Sequence, residues 1–247
     1  MFKSAVVTVI VCLLTVTLAC PSNYLQASES VCVIHQGRSS TFCEACQKCS
    51  KYGKARGDLV FLHGRNVELI RKVLPKGIAL WGGLNGLLEL GDGKTAEGWR
   101  DLDPRTPDFV SGPNQFRWAR NEPDQGEPHL VYNSSTGEMW DNNGGPISFS
   151  RAIYCEYGGP LPKGDFKLKY QSNFPKKFPS IMNTDTRFKG CPSEVQARTK
   201  IECALRCSLD MTCRSSYFNS KEQKCVHMLH ADSLIPVSIA VAADGWT

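Results

Sequence analysis

Residues 114–157 read NQFRWARNEPDQGEPHLVYNSSTGEMWDNNGGPISFSRAIYCEY. Glu122, Asp124, Glu127, Asp141 and Asn142 crowd into this span among the turn formers Pro123, Gly126, Pro128, Gly137 and Gly144. Side-chain oxygens held on irregular backbone suit a calcium ion, which takes about six to eight oxygen ligands in a loose geometry. The runs LVY and FSRAIYCEY carry β-branched and aromatic residues between turn formers and read as strands. An acidic loop clamped between strands is expected, the last strand bearing Cys155.

Outward from this stretch, short motifs follow one another in a definite order. Trp81-Gly82-Gly83-Leu84, Gly91-Asp92-Gly93, Trp99 and Trp118 come first, then Glu122-Pro123-Asp124, Glu127, Gly137, Trp140-Asp141-Asn142 and Cys155-Glu156. Upstream, Phe42, Ala45 and Cys49 share one face of a helix that begins at a capping box, Thr41-Phe42-Cys43-Glu44. This order resembles the C-type lectin-like domain over residues 20–157. The resemblance implies an α+β fold with two helices flanking a mixed, twisted sheet and a long loop, here residues 85–126, rich in Gly, Pro and Asp.

The same resemblance implies a site. In calcium-dependent lectins a Glu-Pro-Asn or Gln-Pro-Asp pair both ligates the ion and hydrogen-bonds vicinal sugar hydroxyls, the amide donating and the carboxylate accepting. Carried over, Glu122, Asp124, Glu127, Asp141 and Asn142 are the expected calcium ligands. Glu122, Asp124, Glu127 and Asn142 are the expected sugar contacts. The chain departs from the pattern in three ways. Its pair, Glu122 and Asp124, consists of two acceptors, which favours a hard cation but removes a donor to sugar. Asp141-Asn142 reverses the family's Asn-Asp, and strand neighbours point to opposite faces. His129 and Gly145 stand where the family has two bridged loop cysteines. Trp118 and Trp140 are expected in the core rather than on a sugar ring.

Composition sets the class. The chain has 247 residues, 41% hydrophobic and 21% charged, as an ordinary globular protein has. Its formal charge of +5 comes without long Lys/Arg runs, so it lacks the electrostatic footprint of a nucleic-acid binder. Residues 1–19 read as a signal peptide: Lys3, then an apolar stretch, then the small residues Thr17 and Ala19. This stretch is too short to span a bilayer. Together with many cysteines and the sequon Asn133-Ser134-Ser135, it points to secretion, with glycosylation expected at Asn133.

Along the rest of the chain, residues 31–34, Asp58–Leu62 and 78–84 read as strands. Asn66 is the expected cap of a second helix with Val67, Ile70 and Leu74 on its inner face. Residues 158–180 change composition, with Pro160, Pro162, Pro175 and Pro179 among five lysines, and read as a basic linker or the opening strand of a second domain. Phe166, Leu168 and Tyr170 alternate with lysine, as in a strand. A second capping box, Thr199-Lys200-Ile201-Glu202, opens a third helix. Residues 234–242 read as a final strand. The spacing E-C-x-x-x-C-x-x-x-x-x-C-x-x-x-x-F followed by K-C resembles the PAN/apple module, so residues 158–247 are expected to hold a linker and a small disulfide-stapled α+β domain.

Outside the leader the chain has eleven cysteines. The two resemblances imply Cys20 with Cys32, Cys49 with Cys155, Cys203 with Cys225 and Cys207 with Cys213. Cys43, Cys46 and Cys191 remain. Either one thiol is free or one bridge is intermolecular, which would give a disulfide-linked dimer. The run Cys43-x-x-Cys46-x-x-Cys49 also has metal-ligand spacing, but no fourth ligand completes it. His227 and His230, three apart, are expected as strand or surface residues rather than ligands. There is no G-x-S-x-G elbow, phosphate loop or H-E-x-x-H. The sequence therefore points to a secreted non-enzymatic protein, binding a glycan or glycoprotein with calcium, or else a calcium-independent protein-interaction or matrix component on the same scaffold.

Overall fold

The computed structural model describes residues 20–88, 95–124, 126–146, 149–161, 181–240 and 245–246. Residues 1–19 (the expected leader), the Gly91-Asp92-Gly93 motif and the strand expected at Phe166, Leu168 and Tyr170 lie outside these.

The N-terminal part is a seven-stranded sheet with a helix on its flank. In chain order come strands β1 (Leu25–Gln26) and β2 (Cys32–Ser39), helix α1 (Phe42–Lys54), strand β3 (Asp58–Leu62), helix α2 (Val67–Ile70) and strand β4 (Ala79–Asn85). Strands β5 (His129–Asn133), β6 (Glu138–Asn142) and β7 (Arg151–Pro160) follow the long loop. The sheet runs β1-β2-β7-β4-β5-β6, with β3 also paired to β7. The β7 pairing to β4 is parallel and its pairings to β2 and β3 antiparallel.

Helix α1 forms where the capping box predicts. The Thr41 side chain accepts the Glu44 N–H at 3.2 Å, and Lys51 and Lys54 sit in the last turn where the helix dipole favours cations. Phe42, Ala45, Cys46, Cys49 and Gly53 form its buried face. Burying a side chain like Phe42 contributes about 1.5–3 kcal/mol. A Cβ at Gly53 would lie 2.6 Å from the Asp58 carbonyl oxygen, so glycine is what lets α1 press onto β3.

The second helix is shorter than expected: α2 is one turn, continued by a 3-10 turn at Arg71–Val73. Asn66 does not cap it. Its Nδ2 instead donates to Glu156 Oε1 at 2.7 Å, because a buried carboxylate is the stronger acceptor.

The C-terminal part comprises β8 (Met182–Asn183), β9 (Cys191–Gln196), α3 (Lys200–Ser208), β10 (Cys213–Asn219), β11 (Lys224–Leu229) and β12 (Ile235–Pro236). The order β10-β11-β9 makes one antiparallel sheet, and β12 pairs in parallel with β8. Thr199 caps α3 by accepting the Glu202 N–H at 3.1 Å. The strand expected over 234–242 is only two residues long, since Val237 starts a turn whose Ile239 N–H bonds back to Pro236.

Disulfides join Cys20–Cys32, Cys49–Cys155, Cys203–Cys225 and Cys207–Cys213, and a fifth joins Cys43–Cys191. The fifth ties α1 to β9 and so links the two parts covalently. Cys191 and Ala231 belong to the same buried cluster as Phe42, Trp81 and Ile153. The one cysteine left free among the described residues is Cys46, which is buried. Among the described residues no exposed thiol remains for the disulfide-linked dimer read from the odd cysteine count, and burial pushes the Cys46 thiol pKa up. No helix among the described residues is long and apolar enough to cross a membrane.

Candidate metal and glycan site

Of the five oxygen-bearing residues expected at the site, the fold brings three together. Carboxylate oxygens of Glu122, Asp124 and Asp141 lie within 4.8 Å of one another. Glu122 and Asp124 flank Pro123, after a cis Glu122–Pro123 peptide, and Asp141 comes from β6, opposite Leu130 of β5. Asp141 is buried, and its Oδ2 accepts the Glu127 N–H at 3.1 Å, which ties the loop to the strand.

The electrostatics of this trio are those of a place wanting a cation. Glu122 is pushed up to about 7, first by burial, then by its hydrogen bond to Asp141 and the like charges of Asp141 and Asp124. Its Oε2 is buried and accepts no hydrogen bond among the described residues. A buried carboxylate oxygen without a donor is costly, and a bound divalent cation removes that cost. The residues therefore fit calcium: three carboxylates supply up to about six oxygens, and nearby carbonyls can complete the shell.

Glu127 and Asn142 stand apart from the trio. Glu127 contributes its backbone N–H, and its carboxyl is held above its usual value, first by burial and then by the charges of Asp141 and Asp124, with Arg187 pulling the other way. Arg187, in ion pair with Asp185 at 2.6 Å, belongs to the C-terminal part. Asn142 alternates to the other face of β6, and its Oδ1 accepts the Gly144 N–H at 3.1 Å. The swap of Asp and Asn thus keeps Asp141 at the site and spends Asn142 on a turn.

The missing loop bridge has a non-covalent replacement. The His129 ring is buried and stacks on Phe42 with centroids 4.3 Å apart. Gly144 closes over it: φ is +70°, and a Cβ there would meet His129 Nδ1 at 2.3 Å. The Phe42 N–H donates to the Gly144 carbonyl at 3.1 Å, so the cap of α1 also pins the loop. Burial keeps the imidazole neutral, pushed down to about 3. Trp118 packs in the core against Trp99, with centroids 4.9 Å apart, and Trp140 packs half-buried on the cluster around Trp81.

A second acidic cluster escapes a local reading of the sequence because Glu156 and Arg65 join the neighbouring Asp101 and Asp103 from far along the chain. Asp101, Asp103 and Glu156 are all buried. Arg65 bonds Asp103 at 3.0 Å, Arg105 bonds it at 2.8 Å, and Arg105 lies 3.6 Å from Glu156. Here arginine supplies the cation. His227 is a buried strand residue whose Nε2 sits 3.0 Å from the Cys203 carbonyl oxygen, and the cysteines beside it are in disulfides, which leaves no metal-binding thiolates. Asn133 opens the exposed β5–β6 turn, its Oδ1 accepting the N–H groups of Ser135 at 2.8 Å and Thr136 at 3.3 Å.

The stapled helix on the β10-β11-β9 sheet is the part with a matching family. Residues 182–241 match the family model of the PAN domain. The N-terminal part is similar to solved C-type lectin domains. The human scavenger receptor C-type lectin carbohydrate-recognition domain is 17% identical, with 56% of this chain and 98% of that one covered, at a TM-score of 0.40. The C-type lectin domain of murine dendritic cell inhibitory receptor 2, in complex with N-glycan, is 20% identical, with 56% and 98% covered, at 0.41. A calcium-independent type II antifreeze protein is 16% identical, with 58% and 96% covered, at 0.39. No curated protein matches the sequence. In this chain the PAN-matching residues carry Cys191, and so are bridged to the first helix of the lectin-like part.

Proposed function

We propose that this chain is a secreted, non-enzymatic binding protein whose lectin-like part, residues 20–157, uses calcium to recognise a glycan or glycoprotein. Residues 158–247 would then form a linker and the PAN/apple-like domain. The observation that carries this reading is the convergence of Glu122, Asp124 and Asp141 around a buried Glu122 oxygen with no donor. These three would hold the ion. Bound calcium would neutralise their mutual repulsion and offer open coordination positions to vicinal hydroxyls. The protein's own contribution is to fix the loop through Asp141, Glu127 and the Gly144–His129 stack.

Of the expected sugar contacts Glu122, Asp124, Glu127 and Asn142, the last has its Oδ1 engaged by the Gly144 N–H and keeps its Nδ2 as the amide donor of the set. With Glu122 and Asp124 both acceptors, a ligand presenting hydroxyl donors is favoured over one presenting acceptors. Asn133 is the proposed glycan-carrying position. The test is a glycan array probed with the oxidised mature chain in calcium and in chelator. Calcium-dependent spots that vanish with Asp141→Ala support the proposal. Equal binding in chelator favours the calcium-independent interaction scaffold, a role to which the all-acceptor pair also points.

A further inference from the structure

Away from the acidic loop, a cavity of about 280 Å³ opens where the C-terminal part meets α1 and β3. Its apolar walls come from both parts: Val60, Leu62 and Leu102 on one side, Leu209, Met211 and Leu229 on the other. The volume lies at the lower edge of the range of about 300–1,000 Å³ for small-molecule sites, enough for a small apolar ligand. The Cys43–Cys191 bridge and the buried cluster shared by the two parts hold these walls at a fixed spacing. Leu209 is 76% exposed and Met211 38% exposed beside the opening, so apolar surface is left for a ligand to cover.

The polar groups at the opening are unbalanced. Lys51 and Lys54, from the last turn of α1, line it and have no ion pair or side-chain hydrogen bond among the described residues. Two carboxylates also line it, Asp58 and Asp210. Asp210 is engaged by the Thr212 N–H at 2.9 Å and hydroxyl at 2.8 Å. Arg214 interacts with Asp232, and burial keeps His230 neutral, pushed down to about 4. Three cationic side chains, Lys51, Lys54 and Arg214, thus line the cavity against two carboxylates, Asp58 and Asp210, and the two lysines are the ones without a partner among the described residues.

We propose that this cavity is a binding site for a medium-length aliphatic carboxylate, its tail between the two parts and its head group at Lys51 and Lys54. The site is independent of calcium. Cys46 also lies in its wall.

Decanoate and decanol are titrated by calorimetry into the full oxidised chain, its K51E/K54E variant and its M211W variant. Lys51 and Lys54 are exposed and Met211 partly so, so none of these changes reaches the core. Decanoate is expected to saturate one site about tenfold more tightly than decanol. The charge reversal should cost decanoate about tenfold and leave decanol unchanged. The M211W change, which puts an indole into the cavity, should remove both. Absence of decanoate binding, equal affinity for acid and alcohol, or binding that survives M211W would each overturn the proposal.

Discussion

The Cys43–Cys191 bridge joins residues 148 apart and can be removed cleanly as C43A/C191A. Its stabilising effect is set by the loop it alone closes. Cys49–Cys155 already closes 106 of the intervening residues, so the added loop is about 6 residues from Cys43 to Cys49 and about 36 from Cys155 to Cys191. For about 42 residues, the loss of chain entropy in the denatured state corresponds to about 4 kcal/mol at 25 °C, against about 5 kcal/mol if the inner bridge is ignored. Equilibrium urea unfolding followed by tryptophan fluorescence measures it. Trp81 and Trp99 lie in the N-terminal core and Trp246 in the small C-terminal one, so both parts are visible. The double variant should lose about 4 kcal/mol at its first transition and unfold its C-terminal part separately. A loss below about 1 kcal/mol with an unchanged single transition would refute the reasoning, because the bridge would then constrain nothing that the shared core does not already fix.

Three other changes follow from the same geometry. Asp141→Asn keeps an acceptor for the Glu127 N–H but removes one charge from the trio, so calcium affinity should fall about tenfold or more with a small change in the calcium-free melt, read by calorimetry and thermal scans. Gly144→Ala forces a side chain onto a φ of +70° and against the His129 ring, and should cost about 1–3 kcal/mol in urea unfolding. Burial lowers the pKa of His63 to about 4 and of His129 to about 3, so both are neutral in the fold and protonate more readily when unfolded. Stability from them is present above pH 6.5 and is lost as pH falls through 4 for His63 and 3 for His129; at pH 5 the loss is about 2 kcal/mol for each. Glu122 and Glu156, both raised to about 7, gain stability over the same fall in pH, so the imidazole contribution is read as the difference in melting profile between the chain and its His129→Gln variant; identical pH dependence between pH 7 and 5 would contradict neutral burial of that ring.

Much of the fold was legible because its signals are local. Thr41 and Thr199 with Glu44 and Glu202 mark helix starts that need only neighbouring atoms to form. The acidic loop was legible in part for the same reason, since Glu122 and Asp124 are two residues apart and Asp141 sits on a strand of clear alternation. What failed depended on distant partners. Asn66 looks like a cap until Glu156, ninety residues away, takes its amide. The Cys43–Cys191 pair could not be chosen over the alternatives from spacing, because nothing local brings α1 to β9. The Arg65 and Arg105 pairs on Asp101, Asp103 and Glu156 were hidden likewise. A carboxylate gives no sequence signal that says whether arginine or a metal ion will neutralise it.

Calcium titration into the oxidised chain, with the melt followed with and without chelator, tests the central claim most directly. The arrangement of Glu122, Asp124 and Asp141 predicts a saturable binding isotherm and a melting temperature that rises with calcium and falls back in chelator. No heat of binding at millimolar calcium, with identical melts in calcium and chelator, would contradict it.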